Sequence, residues 1–219
     1  MVVLDQPDGG VAPQDCSDRG GAIGEILRRY PSVGLIEDDH AGPVAGVPAS
    51  SATAGLPRWV TLRSVSKSLG PDLRLAVLAG DEVTISRVAG RQALGTGWVS
   101  YQLQELVADL WSDPAVARVL DSAAQMYARR GEALRSALRN HGIAATGRSG
   151  FTCWVRVSDE DGVASSLAEA GWAVAPGQRF RIAVPPGIRI SFASLEVADA
   201  ASLAAEVARA LRHRPSRLD

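Results

Sequence analysis

A short apolar strand that runs into acidic residues constrains the fold of this chain most. The strand is Val33-Gly34-Leu35-Ile36, and Glu37-Asp38-Asp39-His40 follow it directly. Before it, apolar residues from Ala22 to Tyr30 recur at helical spacing until Pro31, which favours an amphipathic helix that ends there. Helix, short loop, strand and then a carboxylate at the strand end is the pattern of a parallel α/β sheet, whose ligands bind beyond the strand ends. The sequence therefore predicts an α/β domain with a site at this edge.

A polar turn between two further apolar runs carries the only lysine of the chain. The runs predict strands over 59–63 and 73–79, and Lys67 lies in the turn between them, whereas the other 22 of the 23 basic residues are arginine. Arginine serves a surface ion pair equally well, but it cannot lose its proton and act as an amine nucleophile. Lys67 is therefore either a surface lysine in an arginine-biased chain or a primary amine for Schiff-base chemistry with a carbonyl compound or pyridoxal phosphate.

The middle of the chain is predicted to be helical. A long loop rich in Gly, Ala, Pro and Ser covers 41–58, helices are expected over 81–92 and around 99–110, and Ser112-Asp113-Pro114 is a strong helix start. The helix that begins there carries apolar residues at three- and four-residue steps to about Asn140, and Gly142 supplies its C-terminal cap. A helix well above the average of about 11 residues is expected to bridge two domains.

Beyond Gly150 the pattern changes to α+β. Strands are predicted over 151–157, 172–175 and 189–193, and helices over 162–170 and 198–211. The expected organisation is a partial large α/β domain over 1–112, a linking helix over 113–141, and a small α+β domain over 142–219.

Composition excludes several classes of protein. With 219 residues, 46% of them hydrophobic and 21% charged, the chain is typical of a globular protein with one core or slightly more. A net charge of −1 gives no electrostatic case for nucleic-acid binding by these residues. Cys16 and Cys153 lack metal-ligand spacing, no apolar run approaches the roughly 20 residues that span a bilayer, and no secretory leader opens the chain, so we expect a cytoplasmic protein without a metal site.

Three stretches together resemble the fold-type-I pyridoxal-phosphate enzymes of the class I/II aminotransferase family. They are Ile36–His40, Ser64–Leu75 and Gly187–Phe192, and their order and separations match together. The likeness is strongest to the aminotransferase-like domain of GntR-type transcriptional regulators of the MocR subgroup, and it runs from about residue 20 to 211. It implies the C-terminal half of the transferase fold, which comprises part of the large mixed sheet, a long linking helix and a small α+β domain.

The resemblance assigns a cofactor role to residues at the strand ends. It makes Lys67 the lysine that forms the Schiff base with pyridoxal 5′-phosphate and then shuttles the proton at the substrate Cα. It makes Asp38 the ion-pair partner of the pyridine nitrogen, although a helix or turn cap is the alternative for this carboxylate. His40 stands where the family usually has a tyrosine that bonds the phenolic oxygen of the ring, and a histidine can also make that bond.

The same resemblance places phosphate and carboxylate contacts. Arg74 and Ser64 would hold the phosphate, with Ser66 a weaker candidate, since the planar arginine fork makes paired bonds to phosphate. Arg189 would bind the substrate α-carboxylate in the same way, and a positive charge within an otherwise apolar strand needs a partner. The family's Asn-Pro-Thr-Gly stretch would fall near Asp8–Val11, where this chain has no asparagine.

Three functions remain open at this point. The chain is a pyridoxal-phosphate-binding, effector-sensing part of a MocR-type regulator, a truncated or split aminotransferase acting between an amino acid and a 2-oxo acid, or a degenerate remnant without cofactor. The resemblance further implies a homodimer and an amino acid or amine as ligand. It implies DNA binding only through a winged-helix domain upstream of these residues, where the Gly-rich phosphate loop of the family would also lie.

Overall fold

A computed structural model describes residues 2–5, 16–47, 50–147 and 149–212. The chain divides into two compact units, and the division falls between Ala124 and Gln125, within the long helix Pro114–Asn140. The stretch Asp8–Val11, where the family's Asn-Pro-Thr-Gly would fall, lies outside the described residues.

The first unit is built on a four-stranded mixed sheet. Strands β1 to β3 run parallel and β4 pairs antiparallel with β3, in the spatial order β1-β2-β3-β4, so the predicted mixed α/β sheet is confirmed. Its elements in chain order are β1 (Val2–Asp5), α1 (Cys16–Arg28), β2 (Leu35–Asp39), β3 (Trp59–Ser64), β4 (Ala76–Gly80), α2 (Glu82–Ala93), α3 (Tyr101–Ser112) and the first half of α4 (Pro114–Asn140).

Two apolar clusters fix the sheet edge to which the acidic strand leads. Leu35 on β2 packs with Leu27 of α1 and with Leu56 of the following loop, and all three are buried. Val65 and Leu75, on either side of the lysine turn, pack with Val107 of α3. Burying each side chain of this size stabilises the fold by about 1.5–3 kcal/mol, so the loop is held against β2 and the lysine turn against α3.

Strand β4 begins later than the predicted 73–79. Pro71–Leu73 form a 3-10 turn, and Arg74 follows with φ 45° and ψ 40°, in the left-handed region. A residue with positive φ cannot continue an extended strand. The first three residues of the predicted strand therefore belong to the turn, and the strand itself is Ala76–Gly80.

The second unit is an antiparallel sheet with helices packed on it. The strand order is β5-β6-β8-β7, and the α+β character predicted for this region is confirmed. The elements are the second half of α4, β5 (Ala145–Thr146), β6 (Thr152–Arg156), α5 (Glu160–Glu169), β7 (Ala175–Pro176), β8 (Gly187–Ser191) and α6 (Ala200–Arg212). The strand predicted over 172–175 is only the two-residue β7.

A continuous apolar core holds this unit together. Leu138 of α4, Leu167 of α5, Ile188 of β8 and Val207 of α6 are all fully buried in one cluster. Cys153 lies in the same core, and burial raises the pKa of its thiol to about 12. The thiol is therefore protonated at neutral pH and acts as a small apolar side chain rather than as a nucleophile.

Candidate functional site

The acidic residues lie within β2, and strand alternation sorts them onto two faces. The predicted strand 33–36 placed them after it, but β2 runs from Leu35 to Asp39. Glu37 and Asp39 are buried, whereas Asp38 between them is half-buried. Successive side chains of a strand point to opposite faces, so Asp38 faces away from its two acidic neighbours.

Glu37 holds the loop that follows β2. Its carboxylate accepts hydrogen bonds from the Ala52 backbone N–H at 2.6 Å, the Ser51 hydroxyl at 2.8 Å and the Thr61 hydroxyl at 3.1 Å. A buried carboxylate needs several donors to offset its desolvation. Glu37 is thus fully used by the fold and ties β2, β3 and the loop to each other.

Asp39 ties the ends of β2 and β3 together. It accepts the Gly42 backbone N–H at 2.8 Å, and both Nε and Nη2 of Arg63 lie 2.8 Å from its Oδ2. Arg63 is the residue directly opposite Asp39 in the register of the two parallel strands. The pair therefore fixes the strand ends at the position where Asp38 and Ser64 adjoin it.

Asp38 is the one acidic residue of β2 that has no such partner. Its side chain makes no hydrogen bond or ion pair with any residue that the structure describes, and it is half-buried. A partly desolvated carboxylate is stabilised by a nearby cation. Asp38 can therefore form an ion pair with a protonated ring nitrogen. The alternative role, as a cap of a helix or turn, is supported by no hydrogen bond among the described residues.

Lys67 lies in a helical turn anchored by a buried residue. The N–H groups of Ser68 and Leu69 donate to the Val65 carbonyl at 3.1 and 2.8 Å, and Val65 is fully buried. The Lys67 side chain is exposed and makes no hydrogen bond or ion pair within the described parts of the chain. Its amine is consequently available to a ligand.

The two phosphate candidates with the clearest geometry are Ser64 and Arg74. The Ser66 backbone N–H donates to Ser64 Oγ at 3.3 Å, which orients that hydroxyl and leaves its proton free to donate. Arg74 is the only non-glycine residue with positive φ among those described. A left-handed conformation costs a non-glycine residue roughly 1–2 kcal/mol, and such strain is concentrated at functional positions. The side chain of Ser66 is half-buried and adjoins Lys67.

Strand register brings these residues to one edge of the first sheet. Asp38 pairs with Leu62 two residues before the end of β3, and Ser64, the last residue of β3, pairs with Ala76 at the start of β4. Lys67 and Arg74 lie in the segment that joins β3 to β4 at this edge. His40 follows β2 directly and is half-buried. The residues that carry a carboxylate, an amine, a hydroxyl and a guanidinium thus lie at the edge where a parallel sheet binds its ligands.

Arg189 lies in the second unit, in the middle of β8. It is half-buried between Trp154 of β6 and Ala175 of β7 in the strand register. Its guanidinium lies over the face of the Phe180 ring, with Cζ 3.9 Å from the ring centroid. The partner expected for this charge is therefore an aromatic face. The N–H groups of Arg189 make no hydrogen bond with the residues described.

Sequence reasoning missed Glu37, Asp39, Phe180 and Glu160. For the first two a signal exists, because three consecutive acids within a strand must place the first and third on one face. Phe180 and Glu160 act through contacts between segments far apart in the chain, which no local pattern predicts.

The described residues contain neither a metal cluster nor a helix suited to a membrane. No group of three or more His, Cys, Asp or Glu side chains there is placed to hold a metal ion. None of the helices in those parts of the chain combines the length and the apolar character that crossing a bilayer requires.

Comparison with known proteins gives a related regulator and a set of related folds. No family model matches the sequence. The vitamin B6 salvage pathway transcriptional repressor PtsJ of Salmonella typhimurium is 36% identical over 205 residues, which are 91% of this chain and 48% of the repressor. The chain therefore spans about half the length of this curated relative.

Solved aminotransferases share the fold. A kynurenine aminotransferase from Pyrococcus horikoshii matches with a TM-score of 0.79 at 19% identity, over 95% of this chain and 55% of the enzyme. LysN, an α-aminoadipate aminotransferase from Thermus thermophilus solved with N-(5′-phosphopyridoxyl)-L-leucine, matches with a TM-score of 0.75 at 21% identity, over 94% and 56%.

These likenesses confirm the resemblance read from the three sequence stretches. At this identity the solved structures establish the fold, and the repressor establishes a relationship in sequence to a transcriptional regulator. The chain has the aminotransferase-like fold of fold type I, of which it is the C-terminal part, and it is related in sequence to a transcriptional repressor.

Proposed function

We propose that this chain binds pyridoxal 5′-phosphate at the edge of its first sheet and serves as the ligand-sensing part of a transcriptional regulator. The observation that carries the proposal is Asp38, which is half-buried, has no partner among the described residues and lies at the same sheet edge as the only lysine of the chain. A relative named for vitamin B6 salvage and for repression supports both parts of it.

Each candidate residue has a defined role. Lys67 would hold the cofactor through its amine at the aldehyde carbon, and the same amine would carry the proton at the ligand Cα. The Asp38 carboxylate holds the proton on the pyridine nitrogen. Arg74, Ser64 and, more weakly, Ser66 bind the phosphate oxygens. When bound, the cofactor supplies a ring that withdraws electrons from the α-carbon of an attached amine.

Two residues contact other parts of the ligand. His40 Nδ1 or Nε2 donates to the phenolic oxygen of the ring in place of the family's tyrosine. Arg189 binds the α-carboxylate of an amino acid, since its in-plane N–H groups match a carboxylate in a bidentate manner. An amine or amino acid is therefore the proposed effector, DNA binding belongs to a separate domain, and a cytoplasmic homodimer is part of the same proposal.

A second candidate function is amino-group transfer between an amino acid and a 2-oxo acid. The observation that favours it is the fold, because solved aminotransferases are among the structures that match. Sensor and enzyme differ in turnover rather than in binding. A preparation that converts an added amino acid and 2-oxo acid catalytically, rather than in one equivalent, would support the enzyme.

Because Lys67 is the only lysine of the chain, a test of cofactor binding has few competing amines. Pyridoxal phosphate is added to the purified chain carrying a lysine-free tag, the visible absorption band is recorded, and borohydride then fixes the bound cofactor for peptide mapping. Label is expected on Lys67, since the terminal α-amino group is the only other primary amine. Lys67→Arg is the matched control because it keeps the charge and removes the amine nucleophile.

Three outcomes separate the readings. Label on Lys67 that is lost in Lys67→Arg and weakened in Asp38→Asn supports the proposed site. Label only on the terminal amine, at the same level in all variants, contradicts it and favours the degenerate remnant. Label on Lys67 that is unaffected by Asp38→Asn supports the proposed role of Lys67 and contradicts the proposed role of Asp38.

A further inference from the structure

One buried carboxylate in the second unit pins both ends of an exposed loop. Glu160, the first residue of α5, is 7% exposed. It accepts the Gln178 backbone N–H at 2.6 Å, the Gly187 backbone N–H at 2.8 Å and Arg181 Nε at 2.8 Å. The segment from Gln178 to Gly187 is therefore closed by a single side chain.

The Glu160 carboxylate is charged when it does this. Burial raises its pKa, but the hydrogen bonds from Gly187, Arg181 and Gln178 outweigh burial, and the net pKa lies below the usual value. Charge-assisted bonds of this kind are roughly twice as strong as neutral ones. The loop is thus held firmly at neutral pH.

The pinned loop carries Phe180 onto the guanidinium of Arg189. The ring lies 3.9 Å from Arg189 Cζ. Gly177 and Gly187 flank the loop, and a Cβ on either would overlap the Trp154 ring, so both loop ends lie directly on the sheet face that carries Arg189. The position of Phe180 is therefore set by two features, the hydrogen bonds of the loop to Glu160 and the close packing of the loop ends on Trp154.

Stacking on a ring face restricts the guanidinium without using its hydrogen-bond donors. Cation–π contact engages the face of the group, while the N–H bonds point outward in its plane. An arginine that is already ordered loses less conformational entropy when it binds a carboxylate. The contact thus prepares Arg189 for a planar, two-oxygen ligand.

We infer that Phe180 and Glu160 are positioning residues for Arg189, which they hold in the orientation that receives the carboxylate of an amino-acid ligand. Phe180 acts by direct stacking, and Glu160 acts through the loop that presents Phe180. The inference rests on the proposed function, since that function gives Arg189 its ligand.

The stack itself is tested without any cofactor. In the spectrum of the chain labelled with isotopic arginine, the Arg189 Hε signal, assigned by its loss in Arg189→Lys, is expected to be shifted upfield by the ring current of Phe180. Phe180→Tyr should keep the shift, Phe180→Leu should abolish it, and Glu160→Gln should reduce it. Glu169→Gln, at the exposed end of the same helix, is the matched control and should change nothing. A shift that Phe180→Leu leaves in place overturns the inference.

The role in ligand binding is tested on the cofactor-loaded chain. Affinities for L-phenylalanine and for 2-phenylethylamine, which lacks the carboxylate, are compared by absorbance. The parent should prefer the amino acid, and Phe180→Leu and Glu160→Gln should weaken binding of the amino acid roughly 3- to 10-fold while leaving the amine unchanged. Phe180→Tyr should restore the preference.

Failure of each proposal has its own signature. If Lys67 takes no label, the proposed function fails and the ligand role of the stack fails with it. If Lys67 is labelled and the parent prefers the amino acid, but Phe180→Leu loses no more affinity for it than for the amine, only the positioning inference is overturned.

Discussion

Replacing Arg63 with glutamine is expected to destabilise the first unit by about 2 kcal/mol, because a buried carboxylate then loses its cation. Asp39 receives two N–H groups from Arg63, each at 2.8 Å. Removing one partner of a fully buried pair costs roughly 3–5 kcal/mol, whereas an exposed pair contributes at most about 1 kcal/mol. The Arg63 side chain is 44% exposed, and Gly42 still donates to Asp39, so the cost falls between these limits.

A double-mutant cycle measures the pair directly. The free energy of unfolding in urea is determined for the parent, Arg63→Gln, Asp39→Asn and the double variant, and a coupling of about 1–2 kcal/mol is expected. Arg58→Gln is the matched control, since Arg58 is exposed and has no ion pair among the described residues, and its change should stay within about 0.5 kcal/mol. A coupling below about 0.5 kcal/mol, or a control that costs as much as Arg63→Gln, would refute the argument.

Three other changes test separate parts of the fold by urea unfolding. Gly131→Ala should destabilise the second unit by about 1–3 kcal/mol through overpacking, because a Cβ there would meet the Phe192 ring at 2.9 Å. Its counterpart Gly90→Ala has nothing within 4 Å of the added Cβ and should stabilise α2 by about 0.5–1 kcal/mol. Arg74→Gly should leave stability equal or up to about 1 kcal/mol higher by relieving the left-handed backbone, while the cofactor affinity measured by absorbance falls. For Glu160, the folded pKa lies below the ordinary 4.5, so its stabilisation is complete above that pH and is lost as the pH falls through the folded value; Glu160→Gln should be less stable than the parent at pH 7 and approach it in acid.

The parts of the fold that local signals specify were predictable. The long helix was expected from Ser112 to about Asn140 and is Pro114–Asn140, because a capping residue, a proline and a terminal glycine mark its ends. Gly142 indeed has a φ of 74°, which only glycine adopts readily. Apolar periodicity likewise located each α-helix of the described segments, although α1 begins at Cys16, well before the predicted Ala22.

Elements whose limits depend on tertiary contacts were not predictable to the same degree. Leu73 and Arg74 have strand-like neighbours in sequence, yet the turn that holds Leu75 next to Val65 makes Arg74 left-handed and delays β4. The choice between extended and left-handed backbone at Arg74 is decided by this packing, and strand propensity at one residue is too weak to oppose it.

The candidate site shows the same division. Strand register carries Asp38, Ser64 and Lys67 to one edge, and that placement follows from a parallel α/β pattern alone. Which acidic residue of β2 is free does not follow, because it depends on the loop that covers one face of the strand and supplies donors to Glu37.

The distribution of satisfied and unsatisfied charges is the strongest argument for the proposal that Asp38 and Arg189 each bind a ligand. Among the described residues, the buried carboxylates Glu37, Asp39 and Glu160 each accept three hydrogen bonds from the chain. Asp38 and Arg189 are half-buried and are given no charged partner by that part of the chain. A fold that pairs its buried carboxylates with this consistency gains nothing from leaving these two side chains without an opposite charge, since partial desolvation of a charge without a counter-charge costs free energy. A ligand that brings a cation to Asp38 would repay that cost in the first unit, and a ligand that brings a carboxylate to Arg189 would repay it in the second.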